Sequence, residues 1–329
     1  MKYRILGKDL KVSAIGFGCM GLSHAYGKAT DEREAIRVIQ EAVEMGYNFF
    51  DTAQCYMSVN ADGSIGYNEE LVGKALKKYR DKVVIATKFG VHLEDGTVGK
   101  PIADARKSEI IKSVEASLKK LNVECIDLYY QHRVDKNISP EEVAEVMSEL
   151  IKAGKISHWG ISEVDEDYLR RANSVCPVTA IQNRYSMMAR HYEKLFPVLE
   201  ELNIGFVAFS PLANGFLSGK YNVDSKFEQG IDYRSVMPQF SPEGIKQNEA
   251  LLKLLQNIAE QKNATLAQIS LAWLMCKKPW IVPIPGSRKI ERIKENREAI
   301  NIELSLDEVK MIDIALDNIK MSAVFGVDR

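Results

Sequence analysis

A regular alternation of short apolar segments with amphipathic helical stretches limits the possible folds most strongly. The strand candidates are residues 12–17, 48–53, 83–89, 126–132, 158–163, 179–185, 206–212 and 281–286. Most are continuous apolar runs, which is typical of parallel strands covered on both faces. Because most of these runs precede a helix, the pattern predicts an α/β chain folded as a (β/α)8 TIM barrel. A doubly wound open sheet is the alternative.

The helix boundaries and the ends of the chain refine this prediction. The segment SPEE (139–142) predicts a capping box with Ser139 at the N-cap, and SLDE (305–308) repeats the signal. No repeat, low-complexity segment or domain linker is evident in the sequence. We therefore expect a single domain over residues 1–329, with a short N-terminal β-hairpin and extra C-terminal helices around the barrel.

Composition excludes several classes of partner. The chain has 44 Lys and Arg against 45 Asp and Glu, so bulk charge offers no basis for binding nucleic acid or an anionic membrane. No segment has the length and apolarity of a signal peptide or a spanning helix. The five cysteines are widely spaced and form no CxxC pair, which predicts free thiols in a reducing cytoplasm.

The stretch AIGFGCMG (14–21) contains G-x-G-x-x-G, the spacing of a Rossmann dinucleotide site. In that motif a helix opens at the third glycine, and an acidic residue follows about 20 residues later. Here Gly21 precedes the loop LSHAYGKAT, the helix is expected near Thr30 or Asp31, and the first strand-ending acid is Asp51. We therefore interpret the glycines as a tight strand-to-helix loop near the barrel mouth.

Polar side chains stand near the C-terminal ends of successive strand candidates, where barrel active sites lie. They are Asp51, Lys88, His132, Ser162, Gln182, Ser210 and the pair Gly286-Ser287. Strands that merely end in polar residues would account for Ser and Gln. They account less well for an Asp, a Lys and a His attached to apolar runs, because a lone buried charge is costly.

Three of these residues, Asp51, Lys88 and His132, suggest proton-transfer chemistry together with Tyr56, which follows the second strand candidate. A tyrosine has a pKa of about 10, and a nearby ammonium lowers it. Lys88 is expected to act in this way on Tyr56, and Asp51 to hold Lys88 charged and in place. His132 is expected either to orient a substrate oxygen by a hydrogen bond or to take part in the proton transfer. A hydrolase with paired carboxylates, Asp51 and Glu163, is a weaker alternative.

Several longer motifs resemble aldo-keto reductases over roughly residues 3–315. They are NFFDTAQCY, NEELVGKAL, VVIATKFG, IDLYYQHRVD, GKISHWGIS, FSPLANGFLSGKY and IPGSRKIERIKEN. Ser162-Glu163 after the fifth strand resembles the branch typical of many bacterial and plant members. The resemblance implies a catalytic tetrad of Asp51, Tyr56, Lys88 and His132, with Tyr56 as general acid in carbonyl reduction by hydride transfer and no metal.

The resemblance also implies the cofactor, NADPH in preference to NADH. Ser162 and Gln182 match positions that bind the nicotinamide carboxamide, and Phe209 matches the aromatic residue on which the ring stacks. The remaining cofactor positions it implies are Met20, Asp51, Ser210, Pro211, Leu212, Gly215, Lys220, Gly286, Ser287, Arg288, Arg292, Glu295 and Asn296. An NADPH-binding regulatory subunit with slow turnover is the alternative within this family.

Three segments depart from the family pattern. The loop over residues 57–67 is longer than usual and is expected beside the mouth of the site. Ala213-Asn214 replaces a commoner Gly and basic residue. The segment 213–247 is long for a barrel loop, and we expect part of it to act as a lid over the cofactor.

Overall fold

The computed structural model describes residues 1–59, 63–93 and 101–325. This part of the chain contains the strands β1 Tyr3–Leu6, β2 Leu10–Ser13, β3 Phe17–Gly18, β4 Phe49–Asp51, β5 Met57–Val59, β6 Ile65–Tyr67, β7 Val84–Phe89, β8 Val91–Leu93, β9 Pro101–Ala103, β10 Ile126–Gln131, β11 Ile156–Ser162, β12 Ala180–Arg184, β13 Gly205–Phe209 and β14 Ile281–Pro283. Eight of them form one parallel sheet in the order β14-β13-β12-β11-β10-β7-β4-β3. This confirms the α/β barrel and excludes the open doubly wound sheet, whose strand order reverses at a switch point.

The two edge strands of this sheet meet and close it. The Gly16 amide donates to the Pro283 carbonyl at 2.9 Å, and the Gly18 amide donates to the Pro285 carbonyl at 3.3 Å. A Cβ on Gly18 would lie 2.7 Å from the Ile284 carbonyl oxygen. Gly16 and Gly18 are therefore needed because the strands approach closely at the barrel seam. This packing, and not a Rossmann dinucleotide site, accounts for the spacing of these two glycines.

The first strand candidate differs from the structure. Residues 12–17 do not form one strand, because β2 ends at Ser13 and β3 begins at Phe17. β2 pairs antiparallel with β1, and the Ala14 amide then donates to the Lys2 carbonyl. One apolar run thus supplies two strands of different sheets, the N-terminal hairpin and the barrel.

The helices surround the barrel. Their bounds are α1 Glu32–Glu44, α2 Asn68–Leu76, α3 Lys107–Leu121, α4 Pro140–Lys152, α5 Glu166–Val175, α6 Phe196–Leu202, α7 Pro242–Gln247, α8 Glu249–Lys262, α9 Leu266–Lys277, α10 Ile290–Glu298 and α11 Leu306–Asn318. Asp31 caps α1, and the predicted capping boxes at Ser139 and Ser305 are present. α8 and α11 pack on α9 and are the extra C-terminal helices.

Two apolar layers hold these elements together. The larger core lies between the sheet and the helices. A smaller core fills the barrel and includes Leu6, Leu10 and Val12 of the hairpin together with Phe49 and Val207. The β1–β2 hairpin therefore closes the N-terminal end of the barrel and leaves the opposite end for the polar strand ends.

Additional short elements follow the strand ends on the open side. The segment after Tyr56 forms the hairpin β5–β6, and a second hairpin, β8–β9, follows β7. Residues 60–62 of the longer loop lie outside the described residues. Among the helices that the structure describes, none is both long and apolar enough to cross a bilayer.

Candidate active site

A buried ion pair lies at the mouth of the barrel. Asp51 ends β4, Lys88 lies on the adjacent strand β7, and both side chains are almost fully buried. The Lys88 ammonium donates to Asp51 Oδ1 at 2.5 Å and to the Thr52 carbonyl at 2.7 Å. Burial opposes the charge on Lys88, but Asp51, with smaller contributions from Tyr56 and Cys55, acts in the opposite direction, and the pKa of Lys88 is raised. Lys88 is therefore a fixed cation at the mouth.

Tyr56 lies beside this cation. Its hydroxyl is 3.5 Å from Lys88 Nζ, and its ring centroid is 5.1 Å from the same nitrogen. Burial raises the pKa of Tyr56 to about 12, while Lys88 acts in the opposite direction. Lys88 lowers the pKa of Tyr56, as we expected from the sequence. Burial raises that pKa by more, so the expectation that the phenol would be unusually acidic is wrong. The Tyr56 phenol stays protonated through the neutral range.

His132 follows β10 and faces the same phenol. Its ring stands edge-on to the Tyr56 ring, with centroids 5.9 Å apart. Burial and then the positive charges of Arg133 and Lys88 hold the pKa of His132 well below its usual value. The imidazole is therefore neutral, which favours the role of a hydrogen-bonding group over that of a charged acid. Its Nδ1 lies 3.5 Å from the Cys55 thiol.

The two residues predicted to bind the nicotinamide carboxamide lie next to this cluster. Gln182 lies on β12, and its amide donates to Asp51 Oδ2 at 2.7 Å. Ser162 ends β11, is buried, and lies with its hydroxyl 3.3 Å from an Arg133 nitrogen. Both side chains already have protein partners, so a carboxamide there would share or replace these contacts.

The segment after β13 has unusual backbone geometry. Phe209 ends the strand, and Ser210, Ala213, Asn214 and Gly215 have φ values of 50°, 48°, 62° and 96°. This left-handed region strains residues other than glycine, and such strain clusters at functional sites. Pro211 and Leu212 complete the turn, and Lys220 beyond it is exposed. This segment also contains Ala213-Asn214, where the family pattern is broken.

The predicted adenosine end lies between β14 and α10. A Cβ on Gly286 would lie 2.3 Å from the Gly18 carbonyl oxygen, so this turn rests on the barrel seam. The Ser287 hydroxyl accepts from the Lys289 amide, and Asn296 is buried on α10. Arg292 is ion-paired with Glu295 three residues later.

Arg288 joins this end to the loop after β3. Its Nε donates to the Gly21 carbonyl at 2.6 Å and its Nη1 to the Lys28 carbonyl at 2.7 Å. Its Nη2 is buried without a hydrogen-bond partner among the described residues. A buried unpaired N–H donor suits an anionic ligand. Met20 lies in the short helical turn of the same loop, next to Gly21.

The segment predicted to be a lid contacts that loop as well. The Gly27 amide donates to the Ile231 carbonyl at 3.0 Å, and the Tyr233 amide donates to the Ala25 carbonyl at 2.9 Å. The Asn214 amide donates to the Tyr26 hydroxyl at 2.8 Å. The segment thus crosses from β13 to the far side of the mouth and is anchored there by backbone hydrogen bonds.

Sequence reasoning missed three residues near the cluster. Asn68 is buried at the start of α2, accepts from the Thr52 hydroxyl at 2.6 Å and donates to the Cys19 carbonyl at 3.1 Å. Arg133 and Arg184 flank His132 and Gln182 in the sequence and were not singled out. The signal for Asn68 was its place in NEELVGKAL, and the signal for Arg184 was its position two residues after Gln182.

Comparisons with known proteins point to one family. The model of the Aldo/keto reductase family matches residues 14–317. Probable aldo-keto reductase 1 of Glycine max is 39% identical over 312 residues, which cover 93% of this chain and 86% of that protein.

Solved structures give the same result. The glycerol dehydrogenase AKR11B4 of Gluconobacter oxydans superimposes with a TM-score of 0.86 and 27% identity, covering 99% of this chain and 98% of that one. The aldo-keto reductase AKR11C1 of Bacillus halodurans, in its holo form, gives a TM-score of 0.76 and 28% identity over 99% and 98% of the two chains.

Proposed function

The chain belongs to the aldo/keto reductase family, and from that premise we propose that it reduces aldehyde and ketone carbonyls with NADPH, using Tyr56 as the proton donor. Membership makes it an oxidoreductase of small carbonyl compounds that uses a nicotinamide cofactor. The roles of individual residues and the preference for NADPH are the proposal. One domain over residues 1–329 and a cytoplasmic location stay predictions from the sequence.

The observation that carries the proposal is the contact series from Asp51 through Lys88 to Tyr56. The two short distances, 2.5 Å from Lys88 Nζ to Asp51 Oδ1 and 3.5 Å from Lys88 Nζ to the Tyr56 hydroxyl, place a fixed cation beside a protonated phenol. A proton donor needs a stabilised conjugate base, and the ammonium supplies that stabilisation when the phenolate forms.

Each side chain then has a defined role. When bound, the reduced nicotinamide supplies the hydride that the carbonyl carbon accepts. Tyr56 donates its proton to the carbonyl oxygen, and Lys88 stabilises the phenolate that remains. Asp51 keeps Lys88 charged and in place. Neutral His132 donates a hydrogen bond to the carbonyl oxygen and fixes its direction toward Tyr56.

Two regions are predicted to bind the phosphates of the cofactor, the turn after β13 and the start of α10. Their residues fit nicotinamide adenine dinucleotide phosphate. Ser210, Ala213, Asn214 and Gly215 have positive φ values, and a turn of this backbone conformation can direct successive N–H groups toward an anion such as a pyrophosphate. Arg288 has a buried donor with no partner in the described ranges, and Arg292 lies in the first turn of α10, four residues later. Arginine forks suit a phosphate dianion, so these two residues support NADPH over NADH.

Consumption of NADPH over a panel of carbonyl compounds tests the proposed reaction. The panel should contain aromatic and aliphatic aldehydes, ketones and quinones, together with glyceraldehyde and dihydroxyacetone because one structural neighbour is a glycerol dehydrogenase. We expect turnover with several members. NADPH binding without turnover on any member would favour the regulatory subunit. Hydrolysis of glycosides without a nicotinamide would favour the hydrolase.

Dissociation constants of NADPH and NADH test the cofactor preference. Arg288→Ala and Arg292→Ala should each weaken NADPH by about 10-fold or more, with a smaller effect on NADH, because the lost contact is to the 2′-phosphate. Lys119→Ala is the matched control, since Lys119 is an exposed cation on α3 away from this turn. Unchanged NADPH affinity in both arginine variants would contradict the assignment.

A further inference from the structure

Arg184, the last residue of β12, is a buried arginine at the barrel mouth. It is 7% exposed. Side chains alternate along a strand, so Arg184 faces the same side as Gln182, whose amide reaches Asp51 inside the barrel. Arg184 is in register with Phe209 on β13, and its guanidinium carbon lies 4.9 Å from the centre of that ring.

The guanidinium has unused donors. Neither Nε nor Nη1 of Arg184 has a hydrogen-bond partner among the described residues. Glu163 has the largest favourable charge interaction with Arg184, but its carboxylate lies 3.9 Å from Arg133. Stacking on an aromatic ring compensates only a small part of the cost of burying a charge, and it leaves the N–H donors unpaired. The described part of the chain therefore supplies no counter-ion to Arg184.

The position of Arg184 decides between two sources for that counter-ion. Arg184 ends β12, which lies between β11 and β13 in the sheet, so Glu163 after β11 and Phe209 of β13 are its neighbours along the mouth. The proposed phosphate-binding residues instead follow β13 and β14. His132 follows β10, which adjoins β11, so Arg184 lies on the His132 side of Phe209, the ring proposed as the nicotinamide platform.

We propose that Arg184 binds an oxyanion, a carboxylate or a phosphate, carried by the carbonyl substrate itself. The planar guanidinium fork pairs with two oxygens of such a group, which its unpartnered donors require. The preferred substrates are then aldehydes or ketones with an anionic group beyond the carbonyl. This inference rests on the proposed carbonyl reduction and specifies its substrate class.

Matched pairs of substrates test the inference on the NADPH-loaded enzyme. One pair is 4-carboxybenzaldehyde and its methyl ester, and a second is succinic semialdehyde and butanal. We expect the wild type to prefer the charged member. Arg184→Gln should lower the charged-to-neutral ratio of kcat/KM by about 10-fold to 100-fold, mainly through KM, while the neutral members and NADPH binding keep their wild-type values. Arg184→Lys should restore part of the ratio.

Arg171→Gln is the matched control, because it removes the same charge from an exposed ion pair on α5. An unchanged ratio in Arg184→Gln overturns the inference. Weaker NADPH binding in Arg184→Gln with an unchanged ratio assigns the oxyanion to the cofactor and also overturns it.

The affinities of the wild-type complex with NADP⁺ for benzoate and for benzamide provide the same test without turnover or substitution. Tighter binding of benzoate is expected, and equal binding overturns the inference. Absence of turnover on every carbonyl, charged and neutral alike, would contradict the proposed function, while the benzoate result would still decide the oxyanion site.

Discussion

Tyr56, Lys88 and His132 lie side by side, yet their surroundings give them different charge states. Burial keeps the Tyr56 phenol protonated and the His132 imidazole neutral, whereas Asp51 keeps Lys88 charged. These three side chains therefore supply one fixed positive charge and two neutral hydrogen-bonding groups. A carbonyl oxygen that gains negative charge is stabilised by this arrangement more than the neutral carbonyl is.

The pH dependence follows from these directions. Reduction uses the protonated phenol, and a pKa raised to about 12 keeps that form dominant at lower pH. We expect the rate of the reduction step to be flat between about pH 6 and pH 9, with no inflection from His132. Alcohol oxidation uses the phenolate and should rise with pH over the same range. A loss of reduction centred near neutral pH would disagree with this assignment.

Cys55 is expected to position His132. Burial raises the pKa of the Cys55 thiol to about 11, so the thiol keeps its proton, and we expect it to donate to Nδ1 of the neutral imidazole 3.5 Å away. The imidazole proton is then on Nε2. Cys55→Val should lower kcat by about 2-fold to 5-fold, the effect of one weak hydrogen bond, and Cys55→Ser should retain most activity. The fraction of the His132 Nε2–H tautomer, read by ¹⁵N NMR, should fall only in Cys55→Val. Wild-type kcat and tautomer in Cys55→Val would exclude this role.

At the scale of elements, the seam between β3 and β14 depends on small residues. A Cβ on Gly16 would lie 2.6 Å from Phe49 Cδ1, and one on Gly18 would lie 2.7 Å from the Ile284 carbonyl oxygen. A Cβ on Gly21 would meet the Tyr26 ring at 3.4 Å, an ordinary contact. The first two glycines of the G-x-G-x-x-G stretch therefore stand where a Cβ does not fit, whereas the third has room for one.

Alanine substitutions at these three glycines test the seam. Gly16→Ala and Gly18→Ala should each lower the free energy of unfolding by about 1–3 kcal/mol, because the added methyl group forces the strands apart. Gly21→Ala should change it by less than about 0.5 kcal/mol. Urea unfolding followed by circular dichroism measures all three. Equal losses at the three positions would contradict a role confined to the seam.

The elements were predictable where local chemistry specifies them. The capping boxes at Ser139 and Ser305 and the N-cap at Asp31 follow from side chains a few residues apart. The third capping box, Thr265 with Gln268, carries the same signal and was overlooked. The split of residues 12–17 was beyond this reasoning, because an apolar run does not reveal which strand each residue will pair with.

At the scale of the whole molecule, the site was predictable because a barrel brings the C-terminal ends of its strands together. Asp51, Lys88, His132 and Gln182 are far apart in the sequence, and closure alone makes them neighbours. The net pKa of Tyr56 and the unpaired state of Arg184 were not predictable. Both depend on how much protein covers a side chain, which a strand pattern does not give.

The lid prediction also belongs to this scale. The segment 213–247 is joined to the β3–α1 loop by hydrogen bonds at Gly27 and Tyr233. If it covers the cofactor, bound NADPH should slow its cleavage by trypsin at Lys220, Lys226 or Arg234 by several-fold, because closed segments open less often. Cleavage at exposed Lys152 on α4 serves as the reference. Equal rates with and without NADPH would exclude a lid.

The most direct test of the whole account is the Tyr56→Phe variant, which removes one hydroxyl and keeps the ring. We predict that it binds NADPH with wild-type affinity and loses about 10²-fold to 10⁴-fold in kcat for carbonyl reduction, the range of a lost general acid. Full activity of Tyr56→Phe on every carbonyl that the wild type reduces would contradict the account.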